Sequence, residues 1–334
     1  VNTVLNDRQG YTHAKGNASL REKLVTYYRA QHGVIVDPDD ILVTNGSSAG
    51  FTLAFLSAFE KGARIAVTRP GYPAYLNILS SLGFEPAEIA ISAENGWKLT
   101  AEQIRETHKR APLDGLLLAS PANPTGAMVS TDELKEIVSV CRDLGIRFIS
   151  DEIYHGLSHG DKEATALQFG DDSIVINSFS KYYCMTGWRI GWMILPKSLV
   201  RRTEIMAQNM FISAPSMSQV AAEAALDCRE YYDEQKRKYV QNGALLTKAL
   251  NEMGFRDARQ SDGAFYAYVN IADFSNDSIE FCQKLLERGD VAATPGVDFD
   301  RQEGHNFVRF SYAGARADIE NAIEKLAGFL ARPV

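Results

Sequence analysis

Cysteine is scarce in this chain. Its 334 residues hold four, Cys141, Cys184, Cys228 and Cys282, widely spaced and without a Cys-x-x-Cys pair. That spacing argues against a disulfide-stapled secreted scaffold and a thiolate zinc site, and fits a reducing, cytoplasmic setting. Long apolar runs are missing too. No stretch reaches the roughly 18 apolar residues a membrane span needs, and the first residues, Val1 to Arg8, show no basic-then-apolar signal pattern. Positive charge is not in excess: the formal net charge is -7. No general pull on nucleic acid or anionic lipid is expected, although a local basic pocket for a small anion stays open. Among six histidines, His155 and His159 have the i, i+4 spacing of a metal pair. They lack the glutamate that follows the first histidine of a zincin, and they read as solvated residues of a Gly-, Ser- and Asp-rich loop, so no metal is expected. Internal repeats, low-complexity tracts and the fingerprints G-x-G-x-x-G and G-x-x-x-x-G-K-[ST] are likewise absent.

What the chain does contain is ordinary in amount and informative in order. It is 45% hydrophobic and 23% charged, values of a globular protein with a sizeable core, and its length suits about two domains. Short apolar runs alternate with helical patterns. Asp40–Thr44 reads as a strand leading into a helix at Ala49–Phe59. Arg64–Val67, Ala87–Ile91, Gly115–Ala119, Ile146–Ser150, Ser173–Asn177 and Ile190–Leu195 read as further strands, with helices at Tyr75–Leu82 and Thr131–Leu144 between them. Thr100 followed by Gln103 has the form of a capping box. Leu134, Ile137, Val138 and Cys141 recur at helical spacing before the helix stop Gly145. Near-continuous apolar strands between helices predict an α/β fold, a mostly parallel sheet covered on both faces. Met217–Leu250 reads as one long helical bridge, and beyond Gly254 the order changes to strand, helix, strand, helix, as in a smaller α+β domain. The expected division is 18–250 for a large domain, with 1–17 and 251–334 forming an N-terminal arm and the small domain.

Unusual polar residues gather just after the strands, where open α/β sheets bind ligands. Gly46-Ser47-Ser48 precedes a helix and is either a plain N-cap or an anion site. Asp151 ends a buried strand, where a carboxylate is costly unless paired; it could bind a metal, act as a base or hold a protonated ring nitrogen. Tyr154 lies within reach of the same space. Asn123 is aimed by the proline that follows it. A lone lysine is usually solvated, but Lys181 has Tyr182 and Tyr183 beside it, and burial would free its amine as a nucleophile. Arg189, set between Trp188 and Ile190, would neutralise phosphate charge near an anion site.

The segments S-P-A-N-P-T-G-A, D-E-I-Y, S-F-S-K-Y-Y-C-M-T-G-W-R-I-G and F-V-R-F-S-Y-A resemble, in order and spacing, the fold-type I pyridoxal phosphate enzymes. The similarity is closest to the class I/II aminotransferases of the aspartate aminotransferase group and runs from about Tyr11 to the C-terminus. It implies pyridoxal 5′-phosphate in the large domain, with Lys181 forming the aldimine and shuttling the proton, and Asp151 pairing with the ring nitrogen. By the same resemblance, Tyr154 and Asn123 bond the ring 3′ oxygen, Tyr72 stacks on the ring, and Gly46, Ser47, Ser48, Ser178 and Arg189 form the phosphate cup. Tyr11 resembles the tyrosine that reaches a neighbour's phosphate, implying a homodimer with shared active sites. Arg309 resembles the arginine that grips the substrate α-carboxylate, beside Asn123. The partners so implied are an amino acid and a 2-oxo acid. Family members usually carry a further segment ahead of the Tyr11 motif that helps select the substrate side chain. No second arginine for a distal carboxylate is identifiable; Arg69 lies nearby in sequence without a known direction. A β-eliminating C–S lyase or related enzyme on the same scaffold, and an aminotransferase-like regulatory ligand-binding domain, are the competing readings.

Overall fold

A computed structural model describes residues 10–256 and 258–331. Its first helix, α1 (Ala18–His32), buries a single stripe, Leu20, Leu24 and Tyr28, and stops at Gly33, whose left-handed backbone lets its own N–H reach the Arg29 carbonyl and that of Val34 the Tyr28 carbonyl. One stripe among many polar residues gives little periodic signal, and the sequence pattern had not announced this helix. Then come β1 (Ile41–Thr44), α2 (Gly46–Ala58), β2 (Arg64–Arg69), α3 (Pro73–Ser81), β3 (Glu85–Ala90), α4 (Ala101–Arg110), β4 (Gly115–Ala119), α5 (Thr131–Asp143), β5 (Arg147–Asp151), β6 (Ile174–Ser178) and β7 (Gly191–Ile194). The expected capping box forms at the head of α4, Thr100 accepting from Gln103 N–H while the Gln103 side chain accepts from Thr100 N–H. Such a cap contributes about 1 kcal/mol. The expected apolar stripe of α5, Leu134, Ile137, Val138 and Cys141, is buried.

The seven strands form one sheet in the order β1-β7-β6-β5-β4-β2-β3. Every pairing is parallel except those of β7, which runs antiparallel to both β1 and β6. The sheet is therefore the mostly parallel one predicted, and the carboxyl ends of β1, β2, β4, β5 and β6 all open on the same edge. Two apolar cores cover it. One holds Leu20, Tyr28, Leu116, Phe148 and Trp192; the other holds Phe51, Phe55, Ile65, Leu79 and Ile149. Residues with even and odd positions on β5 thus face opposite cores, as alternation requires.

Helices α6 (Lys197–Phe211), α7 (Ser216–Ala225) and α8 (Arg229–Glu252) follow. The single bridge expected over Met217–Leu250 is in fact two helices. At the break, Lys23 of α1 bonds the carbonyl of Glu223 at 3.0 Å and the Asp227 carboxylate at 2.5 Å. The Glu223 carbonyl is the one that the N–H of Asp227 would need to continue the helix, and that N–H turns to Ala224 instead. Beyond the break, α8 places Tyr232 in the first large core and Leu246 and Leu250 in a third. That third core lies under a three-stranded antiparallel sheet ordered β8-β10-β9, made of β8 (Tyr266–Asn270), β9 (Thr294–Pro295) and β10 (Phe307–Ser311). Helices α9 (Ser278–Gly289) and α10 (Arg316–Leu330) complete it. The N-terminal arm expected over 1–17 lies outside the described residues as far as position 9.

Candidate active site

Strand β1 ends at Thr44 and α2 begins at Gly46, which has a φ of +73°. Glycine is required there twice over. Positive φ strains other residues, and a Cβ on Gly46 would sit 2.6 Å from Nη2 of Arg189. The guanidinium therefore rests on the first peptide of α2, whose leading N–H groups have no intrahelical partner and no side-chain cap. Ser47 and Ser48 add two hydroxyls. A helix start, hydroxyls and an arginine together make a cradle of phosphate size and sign. Arg189 reaches it from a left-handed residue closing the short turn Thr186–Trp188, with Nη1 donating to the Thr186 carbonyl at 3.1 Å.

A cavity of about 330 Å³ opens beside this cradle, and Lys181, Asp151, Tyr154, Asn123, Tyr72, Ser47, Ser48, Arg189 and Arg309 all line it. Ser178 does not. Its hydroxyl is spent inside its own loop, accepting from Ser180 N–H at 3.1 Å with the Ile190 carbonyl and Ser180 Oγ as acceptors, and Ser180 is the serine that lines the cavity. Tyr11 is 84% exposed and lies outside the lining of this cavity. A larger cavity of about 720 Å³, lined by Tyr27, His32, Glu163 and Tyr183, includes none of these residues; volume alone does not locate the chemistry.

Asp151 is 2% exposed. Burial pushes its carboxyl up to about 6, against hydrogen bonds from the Tyr75 hydroxyl and the Ile153 N–H that favour the anion. Each oxygen has one such donor and keeps a lone pair for a further one. The Lys181 amine is half-buried, with Nζ 5.8 Å from the ring centres of Tyr154 and Phe265. Burial, then the charges of Arg309 and Arg189, lower its proton affinity, while Asp151 opposes them. An amine so placed loses its proton more readily than a surface lysine.

Arg309, on β10, comes from the small sheet. Its Nη1 donates to Asn123 Oδ1 at 2.7 Å and Nη2 to Thr294 Oγ1 at 3.1 Å. The guanidinium carbon lies 4.4 Å from the ring centre of Tyr266 and 4.7 Å from that of Phe299, a stacked and oriented fork suited to a carboxylate. Arg69 points elsewhere. Its Nε lies 3.7 Å from Asp300 Oδ1, and it lines a separate cavity with Trp97 and Tyr268.

Two residues escaped the sequence reading. Tyr75 and Tyr266 both line the cavity, yet each reads as core: Tyr75 on an apolar helix, Tyr266 on an alternating strand. Position offered the only signal, since Tyr75 lies one helical turn past Tyr72. The histidines require correction. His155 is buried, Nδ1 facing Glu152 Oε2 at 3.4 Å, and the half-buried His159 ring contacts the carbonyls of Ser261 and Ala264 at 2.9 and 3.0 Å. The loop folds beneath the small sheet through the bridge between Ser158 and Gly263, so its polar composition did not mean solvent.

The family profile described as aminotransferase class I and II matches residues 4–326. Valine–pyruvate aminotransferase of Mycobacterium tuberculosis is 42% identical over 96% of this chain and 83% of its own length. The (5-formylfuran-3-yl)methyl phosphate transaminase of Methanocaldococcus jannaschii is 31% identical, over 99% and 86% respectively. Among solved structures, an aminotransferase from Mycobacterium tuberculosis superposes with a TM-score of 0.94 at 42% identity, covering 98% of this chain and 85% of that one. Aspartate aminotransferase of Thermus thermophilus with maleate superposes with a TM-score of 0.92 at 25% identity, with the same coverages of 98% and 85%.

Proposed function

Because the chain belongs to the class I and II aminotransferases, and so transfers amino groups, we propose that it uses pyridoxal 5′-phosphate and takes amino acids with one carboxylate and a neutral side chain. The direction of Arg69 carries the substrate class. Among the described residues the cavity holds two arginines, Arg189 in the anion cradle and Arg309 beside Asn123. The first is committed to phosphate and the second to the α-carboxylate, leaving no arginine for a distal acid group. Valine and pyruvate, the pair in the name of the 42% identical relative, are the first substrates to assay.

The cofactor is tested by the donor set. Its phosphate fits a cradle that a glycine keeps open under Arg189, and its ring nitrogen fits a buried carboxylate with lone pairs to spare. When bound, pyridoxal phosphate supplies an electron sink that makes the substrate Cα proton acidic. The chain does the rest. Gly46, Ser47, Ser48 and Arg189 hold the phosphate, with Ser178 bracing the Ser180 loop behind them. Asp151, kept anionic by its two donors, holds a proton on the ring nitrogen; Tyr72 covers the ring, and Asn123 and Tyr154 fix its oxygen. Arg309 would orient the carboxylate, and the Lys181 amine would take the Cα proton and return it to the cofactor's C4′ carbon. Tyr11 is assigned to the cradle of a twofold partner, which would make the active unit a homodimer. The four cysteines are free, in keeping with the reducing, cytoplasmic setting proposed.

The purified protein, supplied with pyridoxal phosphate, is to be given a panel of amino and 2-oxo acids together with cystathionine. Turnover of valine with pyruvate above aspartate is the expected result. Preference for aspartate overturns the substrate class, and release of a thiol from cystathionine without amino transfer overturns the reaction.

A further inference from the structure

The hydroxyls of Tyr154 and Tyr266 lie 2.8 Å apart, buried, at the edge of the cavity. Each phenol brings one hydrogen and can also accept. Their mutual bond uses one hydrogen, and among the described residues neither hydroxyl has another partner. The pair therefore holds one spare donor hydrogen, and the space it borders is the cavity. Resting on the assignments of Tyr154 to the cofactor ring oxygen and Arg309 to the substrate carboxylate, we propose that Tyr266 is a positioning residue: it donates to Tyr154, fixing the hydroxyl that faces the cofactor, and makes that hydroxyl sensitive to occupancy of Arg309.

Geometry supplies the coupling. A cation 4.4 Å above the Tyr266 ring draws density from the phenol and strengthens its donation. A carboxylate bound to Arg309 cancels much of that charge. Tyr266 then donates less strongly, Tyr154 follows, and the ring oxygen beyond loses stabilisation of its anionic form. The proton on the nitrogen of Lys181 is held more tightly as a result. The charged and titratable groups facing the pair are Arg309, Tyr72 and Tyr312 beside Tyr266, and Asp151, Lys181 and Tyr75 beside Tyr154. The bond between Arg309 and Asn123 is a second path from the same guanidinium, so loss of Tyr266 should remove part of the coupling and not all of it.

The test uses the protein loaded with pyridoxal phosphate and reads the pH midpoint of the bound cofactor's visible absorbance, with and without 3-methylbutanoate, an acid lacking the amino group. In the wild type the acid should raise the midpoint. Tyr266→Phe keeps the ring and removes the hydroxyl. It should raise the midpoint by roughly half a pH unit or more without the acid, and cut the acid-induced rise at least twofold. Calorimetry on the cofactor-free protein should find affinity for the acid within about twofold of wild type, because the stacked ring remains. Tyr154→Phe breaks the same bond from its other end and should diminish the acid-induced rise as well, a check that stands even if Tyr266→Phe does not fold. Adding Tyr266→Phe to Tyr154→Phe should change nothing further. A Tyr266→Phe protein with wild-type midpoint and wild-type acid response overturns the role of Tyr266 alone. Wild-type protein that shows no cofactor band overturns the functional reading beneath it.

Discussion

The hydroxyl of Tyr75 donates to a carboxylate oxygen of Asp151, and both side chains are buried at the wall of the cavity. Tyr75 also stands edge-on to Tyr72 at 5.4 Å and to Phe51 at 5.2 Å. The head of α3 thus sets the Tyr72 ring at the cavity and, a turn later, a donor that favours the ionised form of the buried carboxylate.

Tyr75→Phe removes that donor while preserving the packing. The Asp151 carboxyl should titrate above its present value of about 6, seen by carbon NMR of labelled aspartate in the cofactor-free protein. Affinity for pyridoxal phosphate at neutral pH should fall, because less of the carboxyl is anionic. Lost stability should be about 1–3 kcal/mol, the usual cost of leaving a buried acceptor short. An unchanged titration would show that the bond does not hold the charge.

Asp151 also makes stability depend on pH. Its folded carboxyl is raised to about 6 from 3.8, so between those values the folded chain keeps a proton that the unfolded chain has released. Stability of the cofactor-free protein should therefore fall as pH rises through that window, by on the order of 3 kcal/mol, and level off above it. Denaturant midpoints across pH should show a smaller fall in Asp151→Asn than in the wild type, the remainder coming from Glu152 and Asp40, whose carboxyls burial also raises.

Gly46→Ala places a methyl against Arg189 Nη2 and strains a left-handed residue. The guanidinium must leave the head of α2. Affinity for inorganic phosphate and for pyridoxal phosphate should drop at least tenfold by equilibrium dialysis, with a stability loss of about 1–2 kcal/mol.

Lys181→Ala should still bind pyridoxal phosphate, since the cradle and Asp151 are intact. Its amino-transfer half-reaction should slow by about a thousandfold or more, as expected when a positioned acid–base group is lost. Substantial single-turnover conversion would assign the proton to another residue.

Arg69→Met should leave the ratio of valine to aspartate turnover within about twofold of wild type, its partner being Asp300. It removes a largely buried ion pair, so thermal stability should fall while discrimination holds. A selective loss of aspartate turnover would place Arg69 at the substrate.

The alternation of apolar strands and helices was enough to read the sheet, and the polar residues at its strand ends were enough to read the cavity. Lys181, Asp151 and Asn123 were legible together because polar residues gather after several neighbouring strands, whereas each alone could be a solvated or turn residue; the structure brings the three to one cavity. Lateral partners were not legible. The bond between Asn123 and Arg309 joins residues 186 positions apart, and nothing local specifies it. Tyr75 and Tyr266 look like core aromatics because most of each side chain is core, and only the hydroxyl and one ring face meet the cavity's polar groups. The broken helix at Asp227 is a similar case, its bonding partner being a lysine on α1.

Helix α8 carries Tyr232 into one core and Leu250 into another without interruption. The two bodies are therefore joined by a shaft and not by a tether. Were the small sheet to shift, Arg309 would move with it, and the shift would reach Tyr232 as a tilt of that shaft, at a cost in repacking there. At its far end that shaft is seated in the aromatic cluster of Tyr182, Tyr183 and Tyr232, the place where any such tilt would be felt first.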